Sequence, residues 1–304
     1  LDNWTESVLE KLVQVGEIAA EVKADAVLDN GDFFDIKSPR QNSHDLVRKV
    51  ADLHRNYPCP VYGNVGNHDC VYGNVEYLPQ QPLGVLFATE VFQRCYNEYE
   101  KVIAKDGVKV RIVGVPYHGT EYDLERLKIE KGDEDHLVVM AHLLASPKGG
   151  KMFESEDIVK YEQLADLSPD VSTWVFGHWH KDQGIQELSN GAKVVNVGAL
   201  SRGALALDDI DREPAVSILT FDEDGFTAER RNLRVKPWSE IFDLEQRVRT
   251  EARSMTMGHY VESLSKTLQE AQKDLSLKDK VRASQVADKV KEKTILFLEE
   301  AEAE

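Results

Sequence analysis

Four short clusters in this sequence carry groups that could do chemistry. They are Gly31-Asp32 with Asp35 just beyond, Gly66-Asn67-His68-Asp69, Ala141-His142, and Gly177-His178-Trp179-His180. Together they offer carboxylate and amide oxygens and imidazole nitrogens, but no thiolate. Hard oxygen combined with imidazole suits manganese, iron or zinc in a reactive centre rather than a structural zinc. A carboxylate such as Asp32 can bridge two ions, and two ions about 3.5–4 Å apart can activate a water and clamp both oxygens of a phosphoryl displacement. The glycines in three of the clusters let the backbone turn sharply and approach an ion or phosphate closely.

The elements around these clusters must place them at one end of a sheet. Val8, Leu9, Leu12, Val15, Ala19 and Val22 recur at helical spacing, which predicts a helix over Thr5 to Lys23. Ala26-Val27-Leu28 is a strand running into the Asp29-Asn30-Gly31-Asp32 loop. A second helix is predicted from about Ser43 to Arg55, with Leu46, Val47, Val50 and Leu53 inward, and a strand at Pro60-Val61-Tyr62 leads into the loop Gly63 to Asp69. Strands alternating with helices indicate parallel strands with helices on their faces. Val108 to Val115, Leu137 to Ala141 and Trp174 to Phe176 are further strands, and Ser155 to Leu167 is predicted as a helix. Two hairpins should turn at Asn190-Gly191 and Asp224-Gly225. All four clusters thus fall at carboxyl ends of strands, where open α/β sheets hold their sites. The expected architecture is two mixed sheets packed face to face with helices outside.

The composition suits a globular chain able to bury a core: 304 residues, 41% hydrophobic and 8% aromatic. A formal net charge of -17 leaves no footprint for non-specific nucleic-acid binding, although bound divalent cations would alter the local field. The charge is uneven. Residues 227–293 carry 15 Lys and Arg against 11 Asp and Glu, whereas residues 1–226 account for the whole acidic excess. Ile241, Leu244, Val248, Ala252, Met255, Leu264, Leu268 and Ala271 recur at helical spacing after Ser239. The chain is therefore expected to divide into a catalytic domain, 1–238, and a helical tail, 239–304, that could bind a partner. Cys59, Cys70 and Cys95 fit no zinc spacing and indicate reduced thiols in a cytoplasmic protein. No apolar run is long enough for a membrane span.

The order and spacing of GD at Gly31-Asp32, GNHD at Gly66–Asp69, the lone His142 and GHWH at Gly177–His180 resemble the calcineurin-like metallophosphoesterases, over roughly residues 1–235. The resemblance implies a four-layer α/β/β/α sandwich and two divalent ions, with manganese favoured over iron, zinc and magnesium. It implies that Asp32 bridges both ions, that Asn67, His142 and His178 hold the second ion and that His180 serves the first. His68 would stabilise or protonate the leaving oxygen, with Asp69 orienting it. The family's opening Asp-x-His motif has no counterpart in the first 30 residues, so it is expected upstream of Leu1; the chain as written should bind one ion well and the other poorly. Gly31-Asp32-Phe33-Phe34-Asp35 and Asn196 to Arg202 are similar to the SbcD-type DNA-repair nucleases. That likeness implies DNA as substrate and an SbcC-like coiled-coil ATPase partner on the C-terminal helices; a homodimer stays open. A phosphatase or cyclic-nucleotide phosphodiesterase, and an inactive scaffold of the same fold, are the alternatives.

Asp35, His118 and Arg202 are candidates for contact with substrate. Arg202 follows a glycine-rich turn and could meet a phosphate, and His118 ends a strand. Trp179, between two histidines, is expected to aim them by packing. His44, His54, His136 and His259 match no motif and are expected at the surface or at helix caps.

Overall fold

The computed structural model describes residues 4–36, 42–70, 74–152, 156–202, 212–241, 281–282, 288 and 290–295. The chain divides into two compact units, Asn3–Ile241 and Phe242–Glu304, the second taking in Leu1–Asp2. All the sheets among the described residues belong to the first.

Helix α1 (Trp4–Glu21) leads into β1 (Val27–Asp29), and α2 (His44–His54) leads into β2 (Val61–Gly63). Helix α2 starts where its sequence says it should, since the Ser43 hydroxyl accepts from the Leu46 amide at 3.1 Å and caps the first turn. After α3 (Pro82–Ala88) comes β3 (Phe92–Arg94). Strands β1, β2 and β3 form an all-parallel sheet, with Val27 opposite Val61 and Val61 opposite Phe92.

A larger sheet is built from β4 (Lys101–Lys105), β5 (Val108–Val115), β6 (His136–His142), β10 (Thr173–Gly177), β11 (Gly184–Glu187) and β12 (Lys193–Asn196). Its order is β11-β12-β10-β6-β5-β4. The four inner strands are parallel and the two edge strands antiparallel. Both hairpin turns lie where the Asn-Gly and Asp-Gly pairs fall, the second joining β13 (Ala215–Asp222) to β14 (Gly225–Asn232). A small sheet of β7 (Ala145–Ser146), β8 (Gly150–Met152) and β9 (Glu156–Lys160) lies near the end of β6.

The side-chain period of two in β6 shows how the layers stack. Leu137, Val139 and Ala141 face a core shared with Trp174 and with Tyr161 and Leu164 of α4 (Tyr161–Leu167). Val138 and Met140 face the other way and meet Tyr62, Cys95 and Ile112, with Leu28, Leu219 and Phe221 at the margin. The far side of the parallel sheet packs Val61, Val65 and Phe92 against Val50 and Ala51 of α2 and Leu83, Leu86 and Phe87 of α3. The result is the four-layer α/β/β/α sandwich. Leu137, Met140 and Leu164 are fully buried, so truncating any of them to alanine would cost about 2–5 kcal/mol.

Several expectations need correction. The helix expected over Ser155 to Leu167 is a strand, β9, followed by a shorter helix, α4. The β-branched pair Ile158-Val159 pairs with both neighbouring short strands, and that tertiary pairing overrides the helical spacing. Strands β3, β4, β7 and β8 are additions to the elements expected from the sequence. His54 and His136 are buried rather than at the surface. Each solves its polarity by bonding a backbone carbonyl, Val50 at 2.7 Å and Asp222 at 2.9 Å, while the rings pack on aromatic neighbours. Most of the tail beyond Ile241, with His259, lies outside the described residues. Among the described residues no helix is long and apolar enough to cross a membrane.

Candidate metal centre

The carboxyl ends of β1, β2, β5, β6 and β10 are drawn together by two asparagines the motif reading did not single out. Asn64 donates its amide to Asn30 Oδ1 at 2.8 Å and to the carbonyls of Val115 and Met140 at 3.0 and 3.1 Å. Asn30 in turn donates to the carbonyls of Ala141 and Val175 at 3.0 and 2.7 Å. These side chains bond carbonyls of three neighbouring strands, β5, β6 and β10, near their carboxyl ends. The only sequence signal for them is position, each lying just past a strand end.

The loops after these strands meet at very short range. A Cβ on Gly66 would lie 2.6 Å from His142 Cε1, and one on Gly177 would lie 2.9 Å from His142 Nδ1, so only glycine allows the approach. Asp32 and His178 adopt left-handed backbone, with φ of 57° and 78°. Such conformations cost about 1–3 kcal/mol each for non-glycine residues and persist where surrounding structure enforces them, often at functional sites. Asp69, fully buried, ties the first two loops together: its Oδ2 accepts from the amides of Asp32 at 2.6 Å and Gly66 at 2.9 Å.

At the focus of these loops stand Asp32, His142 and His178, with ligand atoms all within 4.8 Å of one another. His142 donates from Nδ1 to the Asn30 carbonyl at 2.6 Å, which leaves Nε2 facing inward, 3.2 Å from Asp32 Oδ2. That buried Nε2 has no hydrogen-bond partner. The amide end of Asn67 lies 2.8 Å from Asp32 Oδ2, 3.2 Å from Asp32 Oδ1 and 3.1 Å from His178 Nδ1. With its oxygen there, Asn67 faces acceptors alone; with its nitrogen there, it donates to them. Either a donor or a cation must stand at this point, and an orphaned imidazole nitrogen beside a carboxylate fits a cation.

The electrostatics agree. Burial opposes charge on Asp32, but the adjacent His142 and the His68 amide, 2.7 Å from Oδ1, outweigh it and hold the carboxyl well below the usual range. Burial likewise opposes charge on His142, yet the Asp32 carboxylate raises its affinity for a proton. His178 is pushed the other way by burial and by His142. Burial, aided by the charge on Asp32, pushes Asp69 up to about 7.

The remaining residues named from sequence are distributed as follows. His68 is bonded through Nδ1 to the Asp35 carbonyl at 2.5 Å, which leaves Nε2 free. Its neighbour is thus Asp35, whose own carboxylate is mostly exposed and 3.9 Å away, while Asp69 serves the two backbone amides. His180, two residues past His178, is exposed and outside the convergent group. His118 has both nitrogens engaged internally, with the Pro116 carbonyl at 3.0 Å and the Asp123 amide at 3.2 Å. Arg202 is buried and donates to the Lys236 carbonyl at 2.6 Å, so it fastens the chain's own backbone. Trp179 packs against the core of the larger sheet.

Imidazoles, a carboxylate and an amide gathered at strand ends of a layered α/β fold define a metal centre of the phosphoesterase kind. The sequence matches the calcineurin-like phosphoesterase family over residues 5–182, and the chain belongs to that family. No curated protein sequence matches it. Among solved structures it is similar to the NAD nucleotidase of Haemophilus influenzae, at 14% identity and a TM-score of 0.40, over 75% of this chain and 48% of that one. The chain thus spans about half the length of that nucleotidase. A hypothetical protein from Thermus thermophilus is similar at 14% identity and a TM-score of 0.40, over 76% of this chain and 94% of that one.

Proposed function

We propose that this chain hydrolyses phosphodiesters with the help of divalent metal ions, and that its substrate is DNA. The observation that carries the metal reading is the convergence of Asp32 Oδ2, the Asn67 amide end, His178 Nδ1 and the orphaned His142 Nε2 on one point. An ion held there, with manganese favoured, would supply Lewis acidity to the phosphoryl group and to a water. Asp32, Asn67, His142 and His178 would hold that ion, and Asp32 and His180 would serve a second.

His68 acts on the leaving oxygen. Its Nδ1–H is donated to the Asp35 carbonyl, so a proton for the departing group would have to be carried on Nε2 of the doubly protonated ring, which becomes neutral as it passes that proton to the leaving oxygen. Asp69 fixes the relative placement of the Asp32 and Gly66 loops, and through them the distance between His68 and the ion.

The DNA reading, with an ATPase partner on the C-terminal segment, is supported by the likeness of Gly31–Asp35 and Asn196–Arg202 to the SbcD-type nucleases. A small phosphoester is the second reading, favoured by the net charge of -17, which repels a polyanion. Cleavage of end-labelled DNA in manganese, against a chelator control and beside a chromogenic phosphodiester, tests the pair. Manganese-dependent cutting of DNA supports the nuclease; turnover of the small ester alone replaces it with the second reading.

A further inference from the structure

The metal ligand His178 has a partner that no motif contains. Its Nε2 lies 2.9 Å from Oε1 of Glu156, at the start of β9. The same oxygen accepts from the Tyr122 hydroxyl at 2.7 Å. Tyr122 is itself held, because its hydroxyl oxygen accepts from the Leu144 amide at 3.1 Å. Protons therefore run in one direction, from the Leu144 amide to Tyr122 and from Tyr122 to Glu156. The Glu156 carboxylate is left as an acceptor toward His178.

That direction settles the histidine's tautomer. To bond an acceptor, His178 must carry its hydrogen on Nε2, and its lone pair is then on Nδ1. Nδ1 is the atom facing Asn67, 3.1 Å away, at the focus of the centre. Residue 156 is itself placed by the strand it opens: Asp157 donates to the Thr120 carbonyl at 2.9 Å, and Val159 to the Leu144 carbonyl at 2.9 Å. The side chains of both Glu156 and His178 are largely enclosed, at 17% and 12% exposure, so water competes little for the bond.

We infer that Glu156, steadied by Tyr122, is a positioning residue for the metal centre: it holds His178 in the Nε2–H tautomer with Nδ1 aimed at the ion. It acts through His178 and does not touch the ion. Carboxylates and carbonyls behind ligating histidines commonly have this role, and their loss weakens metal binding about 10–100-fold. The inference rests on the metal reading of the centre.

Two measurements on Glu156→Leu and Glu156→Gln test it. Leucine keeps the volume but accepts nothing; glutamine keeps an acceptor oxygen. Long-range nitrogen–proton NMR of the metal-free chain, at a pH where the ring is neutral, should show His178 with its proton on Nε2 in the wild type and in Glu156→Gln, and a tautomer mixture in Glu156→Leu. Calorimetric titration with manganese should show affinity about 10–100-fold weaker in Glu156→Leu and within a few-fold of wild type in Glu156→Gln. A leucine variant with the wild-type tautomer and affinity overturns the inference, and so does a glutamine variant as damaged as the leucine one. Should Glu156→Leu not fold, Glu156→Asp decides: it keeps the charge but withdraws the acceptor, and must weaken manganese binding. If the wild type takes up no manganese, the metal reading fails, while the tautomer measurement still reports on Glu156.

Discussion

Asn67 and Asp32 meet end to end, with the asparagine's amide terminus 2.8 Å from the aspartate's Oδ2. With an amide oxygen at that point the contact is repulsive unless a cation lies between the two groups. Adding manganese should therefore stabilise the fold. At a concentration about 100-fold above the dissociation constant the gain is about 2.7 kcal/mol, or roughly 5–10 °C in Tm for a unit of this size. Differential scanning fluorimetry with and without chelator measures it, and Asp32→Ala or His142→Ala should remove most of the shift.

Anchored on the Asp35 carbonyl, His68 sits beside the focus but outside the convergent group. His68→Ala should lower turnover about 10²–10⁴-fold while leaving manganese affinity close to wild type. Loss of manganese binding in this variant would show that His68 is a ligand and refute its assignment as the acid.

Asn64 fastens the Asn30 side chain and two strand carbonyls through one amide group. Asn64→Ala removes these buried bonds and should destabilise the fold by about 1–3 kcal/mol. It should also weaken manganese binding, because Asn30 supplies the carbonyl that orients His142. Chemical denaturation and calorimetric titration on the same variant check both effects.

Lys11 is buried in α1, bonded to the Ser7 carbonyl at 2.9 Å and hydroxyl at 3.0 Å. Burial, with Arg202 and Arg212 nearby, lowers its pKa from 10.5 to about 8. The unfolded chain therefore holds this proton more tightly than the folded one. The group's contribution to stability rises with pH between about 8 and 10.5 and is least favourable below 8. Lys11→Met should raise the unfolding free energy at pH 7 by about 1–3 kcal/mol, read from chemical denaturation, and the advantage should shrink by pH 10. An equal advantage at both pH values would remove the buried charge as its cause.

The sequence determined the parts of this protein that repeat or cluster. Period-two runs such as Val108–Val115 and helical spacing in α1 and α2 fixed the main elements, because a face that must be buried leaves its period in the chain. The Asn-Gly and Asp-Gly pairs fixed two hairpin turns, because few residues tolerate those backbone angles. The motifs marked Asp32, Asn67, His142 and His178 in advance, because every one stands at the carboxyl end of a parallel strand; the stacking of two sheets, β1-β2-β3 and the larger one, then brings the two pairs together. Tertiary structure alone decided what joins them. Glu156, which meets His178, lies in a stretch with helical spacing that pairs instead as a strand. Asn30 and Asn64 matter through carbonyls more than 30 residues away, and Arg202 spends its charge on the backbone at Lys236. Contacts of this kind depend on loop paths and on which carbonyls a strand end leaves unpaired, and no local pattern in a chain encodes that.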